Sequence, residues 1–485
     1  MLAPAPSLSF EKSAKCDDTT SEMSTKCDDT DESLPTAPPP PVHDSSRVRA
    51  WTTLFGAWLA IAATFGYTLS FGVYQLVYTR ADVASATGVR WIGATQLSLL
   101  LATSLPAGLL HDYGHFRCAV IGGSYLFTSS LFMLSTIDLG DEYFTFLYVQ
   151  GISMSIGAGM VFVPSLAVQT DHWGARSTLA MGIASTGLFA GGAFFPIMLT
   201  QLLRRGVSFA WTVRASAFVV LGMLLVANAC MRRSCPGASS PTGAKRTSLT
   251  DLVTDAAYMF AALAGLFMSW GIYFTYFYLQ RCVIDRGMDR AFAFYTPAIL
   301  CGAALAGGLL SNLAATKCGT INMFAVMALF CFLFLHLAFV PKTITGVALN
   351  ASIAGLLSGA WFSLLPPVLH MTSTSKRDCG LCLGFAFAVS AVAVLASTPL
   401  NEWLLEPVPR PYSYLDWGLP NVISTVLLAL LNEWLLAPAP RPHSDWDLPN
   451  VISIFMMMVG AFMCMMVRFV WGFRLLNMKN YTEVF

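Results

Sequence analysis

Residues Pro106 to Arg117 read PAGLLHDYGHFR, a short polar loop between two apolar stretches that are each long enough to cross a bilayer. Gly108 removes a side chain where the helix entering the loop needs close approach to a neighbour. Asp112 stands at the helix end, where a carboxylate can cap and charge-pair with the N-terminus of a facing helix. Gly114 falls within the turn, and Arg117 can hold a carboxylate or helix carbonyls beside it. Contacts of this kind latch two bodies together in one state and break in another. The loop therefore predicts a membrane protein with moving halves.

Composition agrees. The chain has 485 residues, 55% hydrophobic and 11% charged. A soluble domain carries roughly 25% charged residues, so this chain has too little charge to solvate a globular surface of its size. It reads as a polytopic membrane protein, with the lipid bilayer and a small-molecule solute as its partners. A formal net charge of +1 argues against nucleic acid. Cys282, Cys301, Cys331 and Cys464 read as small apolar helix residues, neither disulfides nor metal ligands. Cys379 and Cys382 form a Cys-x-x-Cys, but they open an apolar helix without a thioredoxin or zinc context. The chain has no His-Glu-x-x-His, no acidic pair inside a span and no nucleophile constellation, so no enzyme, metal site or cofactor is expected.

Twelve apolar segments of helix length are expected, over 51–74, 91–110, 118–137, 143–168, 179–203, 209–231, 257–279, 292–313, 321–340, 344–369, 381–400 and 451–473. Each is near the ~20 residues needed to cross the apolar layer. The predicted organisation is a disordered cytosolic tail over 1–48, a six-helix half over 49–231, a polar, basic cytosolic linker over 232–255, a second six-helix half over 256–473 and a cytosolic tail over 474–485. Six spans, a linker and six spans suit a two-half transporter. No apolar core precedes a small-residue cleavage site near Met1, so no signal peptide is expected.

Lys and Arg near the helix ends set the orientation. Arg232-Arg233 and Lys245-Arg246 in the linker favour a cytosolic N-terminus and C-terminus, with Arg80, Arg90, Arg204 and Arg205 among the outer-loop cations. Residues 400–424, LNEWLLEPVPRPYSYLDWGLPNVIS, recur at 431–453 as LNEWLLAPAPRPHSDWDLPNVIS, a near-identical tandem copy that lengthens the connection before the last span.

The loop resembles the signature of the major facilitator superfamily. Further motifs tighten the likeness: Gly66-Tyr67 through Tyr74-Gln75 in the first span, Gln150-Gly151, Gly157-Ala-Gly159 and Pro164 in the fourth, Gly271-Ile-Tyr273 through Tyr278-Leu279-Gln280 in the seventh, and Ser358-Gly359 with Leu365-Pro366 in the tenth. Together they resemble the monocarboxylate-transporter-like family in its fungal branch. The resemblance implies the major facilitator fold, about twelve transmembrane helices in two six-helix halves. It also implies a secondary active or facilitative carrier of a small organic solute, working by alternating access in the plasma membrane, with room for proton coupling.

In that family an eighth-helix Arg grips the substrate carboxylate, within a Gly-Arg pair followed by a second loop motif ending in Asp. Here Gly307-Gly308 stands where Gly-Arg is expected, and Thr316 where Asp is. A carboxylate in a pocket of low dielectric needs a cationic partner. Two alternatives therefore stand beside a carboxylate symporter: an exporter of a less charged metabolite, and a non-transporting relative. Candidate path residues are Tyr67, Tyr74, Gln75, Tyr273 and Tyr276, whose rings and hydroxyls suit an amphipathic solute. Arg214 is either an intramembrane functional charge or a side chain snorkelling to the interface with Arg204 and Arg205. His336 is either a proton carrier or a hydrogen-bonded helix residue.

Overall fold

The structure, a computed structural model, describes residues 44–140, 142–233, 248–335, 341, 343–373, 378–405 and 447–482. The linker stretch 234–247, His336 and most of the tandem repeat lie outside the described residues. All regular secondary structure among the described residues is helical, as expected for segments that must satisfy their own hydrogen bonds in lipid. The principal helices are α1 (Arg47–Arg80), α2 (Ala86–Asp112), α3 (Phe116–Leu134), α4 (143–167), α5 (177–204), α6 (Phe209–Cys230), α7 (Ala256–Asp285), α8 (Arg290–Cys318), α9 (Thr320–Phe334), α10 (Ile344–Thr372), α11 (Cys379–Leu405) and α12 (Asp447–Thr482).

Ten stretches of the described residues are long and apolar enough to cross a membrane. One of them, Tyr143–Arg204, has 62 residues and holds both α4 and α5. Phe65 on α1 packs edge-on against Phe162 with ring centroids 4.9 Å apart, while its neighbour Gly66 lies against Gly191. Positions 162 and 191 thus share one depth, so the chain reverses between them. The reversal uses Gly174, whose φ of +48 an L side chain rarely adopts. The described part of α9 is shorter, 15 residues. The all-α membrane fold read from the sequence is the fold observed.

Helix ends differ from the predicted spans because hydropathy marks only the apolar middle of a helix. α1 continues to Arg80, and α12 continues to Thr482 through the stretch expected as a tail. Within the predicted linker, Leu249–Thr254 form a short helix closed by a Ser248–Asp251 capping box.

α1 packs on α4, α5 and α6, and α2 and α3 pack on α4. In the second set, α8 and α9 pack on α10, and α7 and α9 on α12. Two seams join the sets: α2 against α11, and α5 against α8 and α10. Small residues make these approaches close, as lipid-embedded interfaces require. Two π-helical turns interrupt the first set, the buried Ala62–Gly66 in α1 and the partly buried Leu147–Ser153 in α4.

Candidate functional site

The seam between α2 and α11 begins with a missing side chain. A Cβ on Gly108 would collide with the Gly380 carbonyl, and one on Gly380 would collide with the Gly108 carbonyl. The two helices therefore meet backbone to backbone, which carries the end of α2 up to the start of α11. There the Asp112 carboxylate accepts hydrogen bonds from Gly380 N at 3.0 Å and Leu381 N at 2.7 Å. These are orphan donors of the first helical turn, and the helix dipole adds to the attraction. His111 Nδ1 lies 3.1 Å from the same carboxylate, whose side chain is 7% exposed.

Arg117, expected to join this latch, is exposed and makes no hydrogen bond or ion pair among the described residues. Its place is taken by Arg233, just beyond α6. Arg233 donates to the His111 carbonyl at 3.1 Å and pairs with Asp171 at 3.3 Å. The reason is local: Arg117 sits in the first turn of α3, where the helix dipole repels a cation. Gly114, at φ +91 with Arg233 Nη1 only 3.6 Å from where a Cβ would stand, leaves room for the longer reach. His172 Nε2 donates to the Arg232 carbonyl at 2.5 Å, tying the end of α6 to the turn after α4. The ends of α2, α4 and α6 and the start of α11 thus form one face, the linker face.

Asp112→Asn is expected to loosen this seam without unfolding the chain. It removes the charge and one acceptor, worth about 1–2 kcal/mol, so the open population should rise roughly tenfold. The readout is N-ethylmaleimide labelling of Cys379, buried beside Gly380, in a background lacking the exposed Cys118 and Cys318. Labelling no faster than in the parent would show that the carboxylate does not hold the seam.

The second seam at this face carries no charge. Asn312 Nδ2 on α8 donates to the Gly308 carbonyl at 2.7 Å and to Ser363 Oγ on α10 at 3.0 Å. Its Oδ1 fills the space that a Cβ on Gly182 of α5 would need. Ser185 Oγ reaches the Ser363 carbonyl at 3.4 Å. Gly307 and Gly308, where the sequence suggested a vacated cation site, are packing positions. A Cβ on Gly307 would strike the Leu356 carbonyl, and one on Gly308 would meet Thr186 Cγ2 at 2.9 Å. Thr316 is exposed and bonds only its own helix, through the Leu313 carbonyl.

Away from the linker face a cleft opens between α1, α2, α7 and α11. Phe71, Phe274, Phe277 and Tyr278 supply aromatic walls, and Gln75, Arg90, Tyr273 and Ser397 supply polar groups. Arg90 lies 22 residues before Asp112 on α2, about 33 Å along the helix at 1.5 Å per residue. It therefore stands at the opposite end of α2 from Asp112, within the helix and not in a loop. The sequence did hold a signal, since Arg90 falls one turn inside a helix whose N-cap is Ser85.

Of the predicted path residues that are described, Gln75 and Tyr273 line this cleft, and Tyr67, Tyr74, Tyr276 and Arg214 do not. Tyr67 and Tyr74 are buried among α1, α3 and α6. Their hydroxyls form a directed chain. Ser216 Oγ donates to the Val213 carbonyl at 2.7 Å, so it accepts from Tyr67 at 2.8 Å, and Tyr67 accepts from Tyr74. Tyr78 likewise donates to Gln150 Oε1 at 2.6 Å. Their donors are committed to packing the first set of helices. Tyr276 donates to Ser358 Oγ at 3.2 Å, because Ser358 already donates to the Ala354 carbonyl. Tyr273 differs: it is 5% exposed, and its hydroxyl has no hydrogen-bond partner among the described residues.

Arg214 donates to Ser135 Oγ at 3.2 Å and lies 5.3 Å from the ring of exposed Trp211. It rests at the helix ends, outside the cleft, as a snorkelling side chain does. At the same end Gln201 Nε2 donates to Tyr295 Oη at 2.6 Å, and Arg204 stacks within 5.6 Å of that ring, joining α5 to α8.

A bundle of this topology, closed at one face over a lined cleft, is what residues 50–398 match as a sequence: the family model of the Major Facilitator Superfamily. The chain belongs to the Major Facilitator Superfamily. Among similar proteins, the agnestins efflux protein AgnL12 of Paecilomyces divaricatus is 30% identical over 389 residues, 79% of this chain and 87% of that one. The aspyridones efflux protein apdF of Emericella nidulans is 28% identical over 380 residues, 77% of this chain and 76% of that one. In fold, the chain is similar to a bacterial homologue of the human lysosomal transporter Spinster, solved inward-facing and occupied, with TM-score 0.57 and 13% identity over 87% of this chain and 97% of that one. It is equally similar to the transporter FucP in the outward conformation, TM-score 0.57, 14% identical over 86% of this chain and 98% of that one. The protein is a multi-pass membrane transporter of a small organic solute, and not an enzyme.

Proposed function

We propose that this superfamily member is an efflux carrier of a bulky aromatic metabolite, held in a state closed at the linker face. The observation that carries the reading is the cleft, walled by Phe71, Phe274, Phe277 and Tyr278 and with no carboxylate among its described lining residues. Aromatic and apolar walls with a few convergent polar groups suit an amphipathic organic ligand. The relatives named for agnestins and aspyridones efflux support the same direction. A carboxylate symporter using the eighth helix is disfavoured, because Gly308 is filled by α5 and α10 and leaves no room for a cation. On this reading the linker face and both chain ends are cytosolic, the membrane is the plasma membrane, and halves 49–231 and 256–473 rock about the seams.

Inside-out vesicles carrying the full chain should accumulate a multi-ring aromatic solute, with a pH gradient altering the rate only if protons are coupled. Vesicles that take up short aliphatic monocarboxylates and ignore the aromatic solute would reverse the assignment.

A further inference from the structure

We infer that five phenylalanines between the halves form a plug that selects the solute: when the linker face opens, a planar, uncharged aromatic ring system takes the place of the ring contacts that are lost. The inference rests on the efflux reading and narrows its substrate class. Four of the rings close a circuit. Phe65 of α1 meets Phe162 of α4 with centroids 4.9 Å apart, and Phe162 meets Phe387 of α11 at 5.0 Å. Phe387 meets Phe362 of α10 at 6.4 Å, and Phe362 returns to Phe65 at 6.1 Å. Phe189 of α5 joins Phe362 at 6.0 Å. No ring of the five is more than 5% exposed. In this closed state the rings fill the position themselves, so the site is created only when the halves part.

Phe65, Phe162 and Phe189 belong to the first half, and Phe362 and Phe387 to the second. The contacts Phe65–Phe362, Phe162–Phe387 and Phe189–Phe362 therefore cross the seam, and parting the halves breaks all three. The plug also stands in the right place. Phe387 lies eight residues into α11 from Cys379, about 12 Å from the Asp112 latch, and Val394 of the cleft lies seven residues further, about 10 Å. On α1 the order is the same, with Phe65 on the linker side of Phe71. The neighbouring contacts across the seam are uncharged: Ser98 Oγ donates to the Ala391 carbonyl at 3.1 Å, and Ser185 Oγ to the Ser363 carbonyl at 3.4 Å. A charge carried into this position would lack a partner. An aromatic ring restores edge-to-face contacts that a saturated ring of the same size does not.

The test uses the full chain in lipid nanodiscs, in the background lacking Cys118 and Cys318, and reads opening of the linker face as N-ethylmaleimide labelling of Cys379. Two uncharged probes of one carbon skeleton are compared at equal concentration, naphthalene-2-carboxamide and its saturated counterpart decahydronaphthalene-2-carboxamide. The naphthalene probe should raise the labelling rate at least about threefold, the scale of one aromatic contact, and the saturated probe should leave it nearly unchanged. Phe362→Leu with Phe387→Leu keeps the position apolar but removes the rings of the second half, and should abolish the difference between the probes. Phe218→Leu, an exposed ring on α6, should leave the difference intact. Thermal unfolding checks each variant, and Phe387→Leu alone, which should shrink the difference, keeps the question answerable if the double variant is unstable. Equal responses to the two probes, no response to either, or an aromatic preference that survives loss of the rings would overturn the inference. Flux in inside-out vesicles separates it from the parent reading. A ring-dependent opening response without export leaves the plug chemistry standing and removes efflux. Export of both probes at one rate removes the aromatic selection and keeps efflux.

Discussion

Gly108→Val is expected to abolish transport while the protein still reaches the membrane. The Gly108 and Gly380 backbones touch, so a side chain at 108 would meet a carbonyl and not a rotatable group. No rotamer change relieves that contact, and α2 and α11 must move apart. Gly384, which sits against Ser104 and Leu105 one turn further along, shows that the close approach is continuous. Separation pulls Asp112 away from Gly380 N and Leu381 N together, so the steric and electrostatic losses add. The state closed at the linker face then disappears, while a state open at that face has no such contact to lose. Labelling of Cys379 and Cys382 by N-ethylmaleimide should rise by more than the roughly tenfold expected for Asp112→Asn. Flux should fall to the level of empty vesicles. Retained flux with Cys379 still protected would mean that the close approach is incidental to the cycle.

Gly308→Arg carries the second large effect, and its direction separates two readings of the same residue. Were Gly308 a lost substrate cation, restoring Arg would confer carboxylate uptake. The packing predicts instead a protein that fails to assemble. Thr186, the Gly359 carbonyl at 3.3 Å and Ser363 Cβ at 3.3 Å surround the position. Overpacking costs about 1–3 kcal/mol, and an unpaired buried guanidinium adds several kcal/mol. Detergent-solubilised variant should aggregate or unfold well below the wild-type midpoint, and should take up no monocarboxylate. A monodisperse, equally stable variant with new pH-driven uptake would restore the vacated-site reading.

The fold was legible because the constraint that makes it is one-dimensional. Uncharged runs of helix length are visible along the chain, and lipid permits them little but helix. Asp112 and Gly108 were legible for a related reason, since a short loop between spans can only sit at a membrane face. Arg233 was not, because its partner His111 is 122 residues away and only folding brings them together. The packing at Gly308 was not legible, because alignment along one helix shows which side chain is missing but not Thr186 of α5 and Gly359 and Ser363 of α10, which close around the position. The tyrosines were legible as a group and not individually. Tyr67, Tyr74, Tyr273 and Tyr276 share one chemistry, and what separates them is whether a neighbour such as Ser216 or Ser358 already accepts the hydroxyl.

The π-helical turn at Ala62–Gly66, with the turn at Leu69-Ser70 before Phe71, gives that sorting its origin in α1. One extra residue in a turn rotates everything beyond it by about 100° relative to an uninterrupted α-helix. Beyond Gly66, Tyr67, Tyr74 and Tyr78 point into the first set of helices, while Phe71 and Gln75 face the cleft. The wall between protein interior and solute path is therefore set by winding number as much as by residue type. Identical side chains on a helix one residue shorter would present the tyrosine hydroxyls elsewhere, and the chain would have the same composition with a different lumen.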